Sequence, residues 1–329
     1  MSGRYRTTTV LVGLAVMATA CVVPPRPAAG PGSPGSPGAG SGGSVGSCPM
    51  FPADSVWHAD VSGLAVHPRS TAWRNAIGAG TGLHPDFGSG LWDGGTIGIP
   101  YTTVGAGQPP VAMAFDYADE SDPGPYPFPT DAPVEGGSDH HVIVVDNSTC
   151  RLYETWDSTR QPDGSWRAGS GATWDLRSNA LRPATWTSAD AAGLPILPGL
   201  VRYDEVAAGR IDHMVRFTAP RTQKAFIWPA RHQAASSTSP DLPPMGAVFR
   251  LRADVDISWM SPQARVVAQA LKDHGMILAD NGSSWYLSGA PDERWDNDDL
   301  HDLARLTGAQ FDAVDTSALM VDPNSGQSR

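Results

Sequence analysis

Lysine is nearly missing from this chain. Lys224 and Lys272 are the only two, and neither follows a glycine. A Gly-x-x-x-x-Gly-Lys-Ser/Thr phosphate loop is therefore excluded. Gly78-Ala79-Gly80-Thr81-Gly82 has no lysine and no strand before it, and reads as a turn. The sequence has no His-Glu-x-x-His and no cysteine cluster, so a zincin or a structural zinc is not expected. No Gly-x-Ser-x-Gly elbow lies in the folded part. Basic residues are outnumbered, 23 against 34 acidic, which argues against nucleic acid or an anionic membrane surface as partner. Internal repeats are absent too. The expectation is a protein with no nucleotide, no cofactor, no metal and no nucleic acid.

Long apolar runs are also scarce. Val10–Ala18 is apolar but falls short of the ~20 residues that span a bilayer. Arg4 and Arg6 precede it, and Ala18-Thr19-Ala20 follows, directly before Cys21. Charge, apolar run and small residues, in that order, make a signal peptide over 1–21. The cysteine after the small residues makes a lipobox-like end with Cys21 as the lipidation site, although Ala18 stands where Leu is usual. Free secretion is the alternative. Residues 22–47 are mostly Pro, Gly, Ser and Ala and read as a disordered tether, too poor in apolar surface to order itself. The expected place is outside the cytoplasm, with any membrane contact made through a lipid anchor alone.

Of three cysteines, Cys48 and Cys150 then remain, in a compartment where disulfides persist. A Cys48–Cys150 bond is predicted; two free thiols are the alternative. Residues 48–320 read as a single domain and 321–329 as a disordered tail.

Period-two alternation predicts strands at Val248–Ser258, Val111–Tyr117, Ile211–Phe217, His141–Val145 and Leu152–Trp156. The last two are joined by the Asp146-Asn147-Ser148 turn, as a hairpin is. Ala225–Trp228 and Trp285–Leu287 are shorter strand candidates. Ser261-Pro262 opens a helix that Gly275 closes, and Asn297 or Asp298 caps another, reaching about Leu306. Short helices are expected near Arg69–Ile77 and Val201–Ala208. The fold class is mainly β: a two-sheet sandwich or jelly-roll-like domain with a few peripheral helices. The long Asp116–Gly137 loop is of a length usually tied to function.

Asp139-His140-His141 precedes a strand, where neighbours point to opposite faces, so both histidines cannot hold one metal ion without a bulge. One packed and one exposed histidine is the expected outcome. Carboxylates beside aromatics are the stronger signal. The chain has eleven Trp, all after the tether. Aromatic faces stack on sugar rings while paired carboxylates act as acid and base or nucleophile. Glu205, His213, Asp175 and Asp280 are the catalytic candidates, and Trp174, Trp228, Arg231, His232 and Trp285 the substrate-binding ones. Equally, Trp residues fill β cores, and His213 lies on the apolar side of its strand.

Asp139–Asp146, Ser170–Pro183, Gly193–Val206, Ile227–His232 and Leu278–Trp295 together resemble a family of exported bacterial proteins of unassigned activity, mostly labelled hypothetical. The resemblance covers about 55–315 and implies one exported domain; it brings no ligand or catalytic set. The expected function is an extracytoplasmic carbohydrate-active enzyme, a hydrolase or lyase acting on a polysaccharide. A surface-anchored glycan- or protein-binding domain and a structural envelope lipoprotein are the alternatives.

Overall fold

A computed structural model describes residues 43–329, and these form one compact unit. Residues 1–42, with the signal segment, Cys21 and most of the tether, lie outside the described residues. No described helix is long and apolar enough to cross a membrane.

The chain opens with β1 (Ser44–Val45) and β2 (Cys48–Pro49), a small hairpin at the end of the expected tether. Then come α1 (Ser70–Ile77), β3 (His84–Asp86), β4 (Leu91–Trp92), β5 (Gly95–Thr96), β6 (Tyr101–Val104) and β7 (Met113–Phe115). The middle contains β8 (Val142–Asp146), β9 (Arg151–Trp156), β10 (Thr159–Arg160), β11 (Trp166–Ala168) and β12 (Ser170–Asp175). Last come α2 (Tyr203–Ala207), β13 (Val215–Ala219), β14 (Val248–Leu251), α3 (Pro262–Asp273), β15 (Met276–Asn281), β16 (Tyr286–Ser288), α4 (Asn297–Leu300) and β17 (Phe311–Val314).

The protein is mainly β, with a sandwich-like arrangement and no closed barrel. One sheet runs β12-β9-β8-β6 and the other β17-β14-β15-β13-β16-β3. In β8 every residue from Val142 to Val145 is buried, because both faces are covered. Ile143 and Val145 join the main core shared with the six-stranded sheet; Val142 and Val144 join a second core with Tyr126, Phe128 and Trp166. The β8–β9 hairpin forms as expected: the Asp146 carboxylate accepts from Ser148 N and Thr149 Oγ1 and ties the turn.

Cys48 and Cys150 are bonded, with their Cα atoms 5.2 Å apart. Gly275 closes α3 with φ +71°, and a Cβ there would meet Phe249 O at 2.6 Å, so only glycine fits.

Several expectations need correction. The 248–258 alternation forms a ladder only as far as Leu251; Val255 and Ile257 are buried from turns instead. Ala225–Trp228 forms no strand, and its Trp228-Pro229 peptide is cis. The late helix is capped by Asp296, whose side chain accepts from Asp298 N and Asp299 N, and it tightens to a 3-10 turn at His301–Arg305. Residues 321–329 are no free tail: Trp228 Nε1 donates to Ser325 O at 2.8 Å, and Arg231 Nη1 donates to Pro323 O at 2.6 Å.

Candidate functional site

Register decides which side chains share a face. Thr218 lies opposite Tyr286, Tyr286 opposite His84, and Ser288 opposite Asp86. Alternation then puts Arg216 and Thr218 of β13, Tyr286 and Ser288 of β16, and His84 and Asp86 of β3 on one face. Asp280 joins them through an irregularity: Phe217 pairs with Leu278 but Thr218 with Asp280, so Ala279 is an extra residue. Without this bulge Asp280 would point to the opposite, apolar face, where Phe217 and Leu278 pack.

Arg216 is the centre. Its side chain is buried and grips Asp190 bidentately, Nε to Oδ2 at 2.7 Å and Nη2 to Oδ1 at 2.8 Å. Nη1 donates to Ser288 Oγ at 2.5 Å, and Asp280 Oδ2 lies 3.5 Å from Nη2. Burial, then the negative charge of Asp190, pushes Asp280 up to about 7 against the pull of Arg216. Asp280 is therefore held toward its protonated form. Its side chain retains 22% exposure, so solvent reaches it.

Two groups reach this neighbourhood from loops and from the other sheet. Glu135, near the end of the long Asp116–Gly137 loop, accepts from His141 Nδ1 and more weakly from His141 N at 3.3 Å, both through Oε2. His141 Nε2 lies 3.0 Å from Ala189 O. Both ring nitrogens thus face acceptors, which the imidazolium satisfies. Burial alone would lower His141, but Glu135's charge and hydrogen bond raise it to about 9. Burial would likewise raise Glu135; His141 overcomes it and holds the carboxyl below the usual range. Glu154 of β9 accepts from Ile196 N and Leu197 N, each at 2.8 Å, and is pushed up to about 7 by burial.

Asp86 and Glu135 open onto one recess of about 580 Å³, lined also by His84, Trp92, Tyr286 and His301. Desolvation raises Asp86 above the ordinary carboxyl range; His84 opposes this, and the negative charge of Glu135 adds to it. The two carboxyls on the recess are thus pushed in opposite directions. His84 stacks on Tyr286 with ring centroids 4.0 Å apart. Trp92 stands at the tip of the β4–β5 hairpin, 76% exposed. Asp93 and Gly94 turn that hairpin with positive φ at both positions, as a two-residue type I′ turn requires. The hairpin rests on Glu135's neighbour: a Cβ on Gly95 would meet Gly136 Cα at 2.6 Å.

The expected site residues fall differently. Asp280 is in the cluster. Glu205 and His213 do meet, Oε2 to Nε2 at 3.2 Å, but His213 Nδ1 is also taken by Met214 O at 2.7 Å, and Arg202 pairs with Glu205. With both ring nitrogens engaged and the ring buried, His213 has no free atom for a substrate proton. Asp175 is the exposed last residue of β12, and its Oδ1 accepts from Arg177 N at 2.9 Å. Trp285 is 0% exposed, with Nε1 bonded to Gly78 O, and Trp174 is buried under Arg182; neither is open to stack on a sugar. Arg231 is buried on Arg182 O, Pro323 O and Asn324 Oδ1. Half-buried Trp228 is tied to the C-terminal segment, and His232 Nδ1 sits on Ala191 O at 2.8 Å. His140 and His141 divide as expected, the first exposed and the second packed.

Sequence reasoning missed Asp86, Trp92, Glu135, Asp190 and Arg216. Asp93-Gly94, a strong short hairpin signal, was available for Trp92, and the long loop for Glu135. Nothing local marks Asp190 and Arg216, which pair across 26 residues. Comparison with protein families, with curated proteins and with solved structures finds no match to this chain.

Proposed function

We propose that this protein is a carbohydrate-active enzyme that cleaves a glycosidic bond at the Asp86–Glu135 recess, working outside the cytoplasm. The observation that carries the reading is a pair of carboxyls lining one recess, with environments that shift them in opposite directions. Such divergence assigns acid and base roles in enzymes of this chemistry. Asp86, raised, is the acid that gives a proton to the leaving oxygen. Glu135, held ionised by His141, is the base or nucleophile; Oε2 carries the histidine bonds, leaving Oε1 for the reacting centre. Trp92 offers a face for a sugar ring, and the His84–Tyr286 stack a second apolar wall. Arg216 positions rather than reacts, since its donors are spent on Asp190 and Ser288.

The test is a polysaccharide panel assayed for new reducing ends and for unsaturated products. Cleavage that falls at least ~10³-fold in Glu135→Gln and in Asp86→Asn supports the roles, a loss of this order being expected for an acid or base in such a reaction. Product formation indifferent to both substitutions refutes them. Glycan binding without any product makes the recess a non-catalytic binding site.

A further inference from the structure

Resting on that reading, we infer that the recess takes a glycan bearing free amino groups, not an anionic one. The ionisable residues on its wall are Asp86, Glu135, His84, His301 and Tyr286; among the described residues no lysine or arginine lines it. The cations nearest to it are not available to a ligand. Arg216 is closed off by Asp190, Ser288 and Asp280, and both nitrogens of His141 are occupied. A uronate or phosphate entering here would meet the Asp86 and Glu135 carboxyls with only the imidazoles of His84 and His301 to offset them and no permanent cation, which desolvation makes costly.

An ammonium group finds the opposite situation. Glu135 is held ionised, and it and Asp86 both line the recess. A hexosamine ammonium would donate charge-assisted hydrogen bonds to their oxygens. Trp92, largely exposed, would attract a cation over its face and cover the apolar side of the same ring. The whole chain, with formal net charge −11, adds attraction at long range. The ammonium neutralises the Glu135 charge, and Asp86, even when protonated, still offers it a carbonyl oxygen.

The test is calorimetric binding of three hexamers to the full chain at pH 6: β-1,4-linked glucosamine, the same oligomer N-acetylated, and galacturonate. The glucosamine hexamer should bind at least about tenfold more tightly than either of the others, the equivalent of one charge-assisted hydrogen bond. Raising salt from about 0.05 to 0.5 M should shrink the preference. Trp92→Ala and Asp86→Asn, both surface changes, should each weaken binding about tenfold while thermal stability stays within a degree or two of the parent. Equal or tighter binding of the acetylated or galacturonate oligomer overturns the inference, as does an unaltered affinity in both variants. Amine-dependent binding without cleavage refutes only the catalytic reading. Cleavage of a glycan without amine preference refutes only this inference. No binding of any oligomer overturns this inference, and the catalytic reading is then decided by the polysaccharide panel.

Discussion

Replacing Arg216 with methionine tests the centre of the site. The two side chains are similar in length, so packing is largely kept while the charge goes. What remains is Asp190, with no exposed side-chain surface and no partner for the oxygens that Nε and Nη2 bonded at 2.7 and 2.8 Å. Breaking a buried pair from one side costs about 3–5 kcal/mol, because the partner is left charged and dry. For a folded part of this size, at ~2.1 cal/mol/K of unfolding entropy per residue, that is a fall in melting temperature of roughly 5–8 °C. The cost should depend on pH. In the variant an ionised Asp190 is buried with no counter-charge, so the cost is greatest where carboxylates are ionised. Urea denaturation at pH 5 and pH 8 measures this, the deficit being larger at pH 8. In the Asp190→Asn/Arg216→Met double variant most of the loss should return, with a coupling of about 2 kcal/mol or more. A deficit under about 1 kcal/mol at pH 8, or one that does not change with pH, would refute the view of Arg216 as the counter-charge that makes this cluster possible.

Other expectations follow from the same geometry. Asp280, raised to about 7, carries its proton in the folded state but not the unfolded one between about pH 4 and 7; this contributes a decline of up to about 1.4 kcal/mol per pH unit as pH rises, which Asp280→Asn removes in pH-dependent denaturation. His141, raised to about 9, behaves as a group whose stabilisation is complete below its ordinary value and is lost as pH rises through 9; His141→Gln should abolish that alkaline limb. Changing both Cys48 and Cys150 to alanine opens a loop with a sequence separation of 102 and should cost about 4–5 kcal/mol by the chain-entropy relation, read as a shifted urea midpoint. Trp285→Ala should cost about 3–5 kcal/mol of stability, against under about 0.5 for Trp92→Ala; the reverse order would contradict their assigned burial.

Some of this was legible along the chain. The β8–β9 hairpin could be read from alternation and an Asx turn because both signals are local. So could α3, bounded by Ser261-Pro262 and Gly275. The 248–258 stretch shows where such reading stops. Alternation reports burial, and Val255 and Ile257 are buried, but burial does not require a partner strand, and beyond Leu251 the β14–β17 and β14–β15 ladders have ended. The tryptophans make the same point: a sequence counts Trp174, Trp285 and Trp92 alike, and only packing separates two fillers from one exposed face.

By itself the sequence determined the mainly β character, the β8–β9 hairpin and the limits of α3, and it pointed to the Cys48–Cys150 pair. These rest on period, turn chemistry and composition, all of them short-range. The tertiary structure alone decided the site. A single extra residue, Ala279, rotates Asp280 to the side of Arg216, and three separate loops or strands bring Asp86, Glu135 and Asp190 to that face. Register slips of one residue and pairings between distant segments leave no trace in local pattern, and the chemistry depends on both.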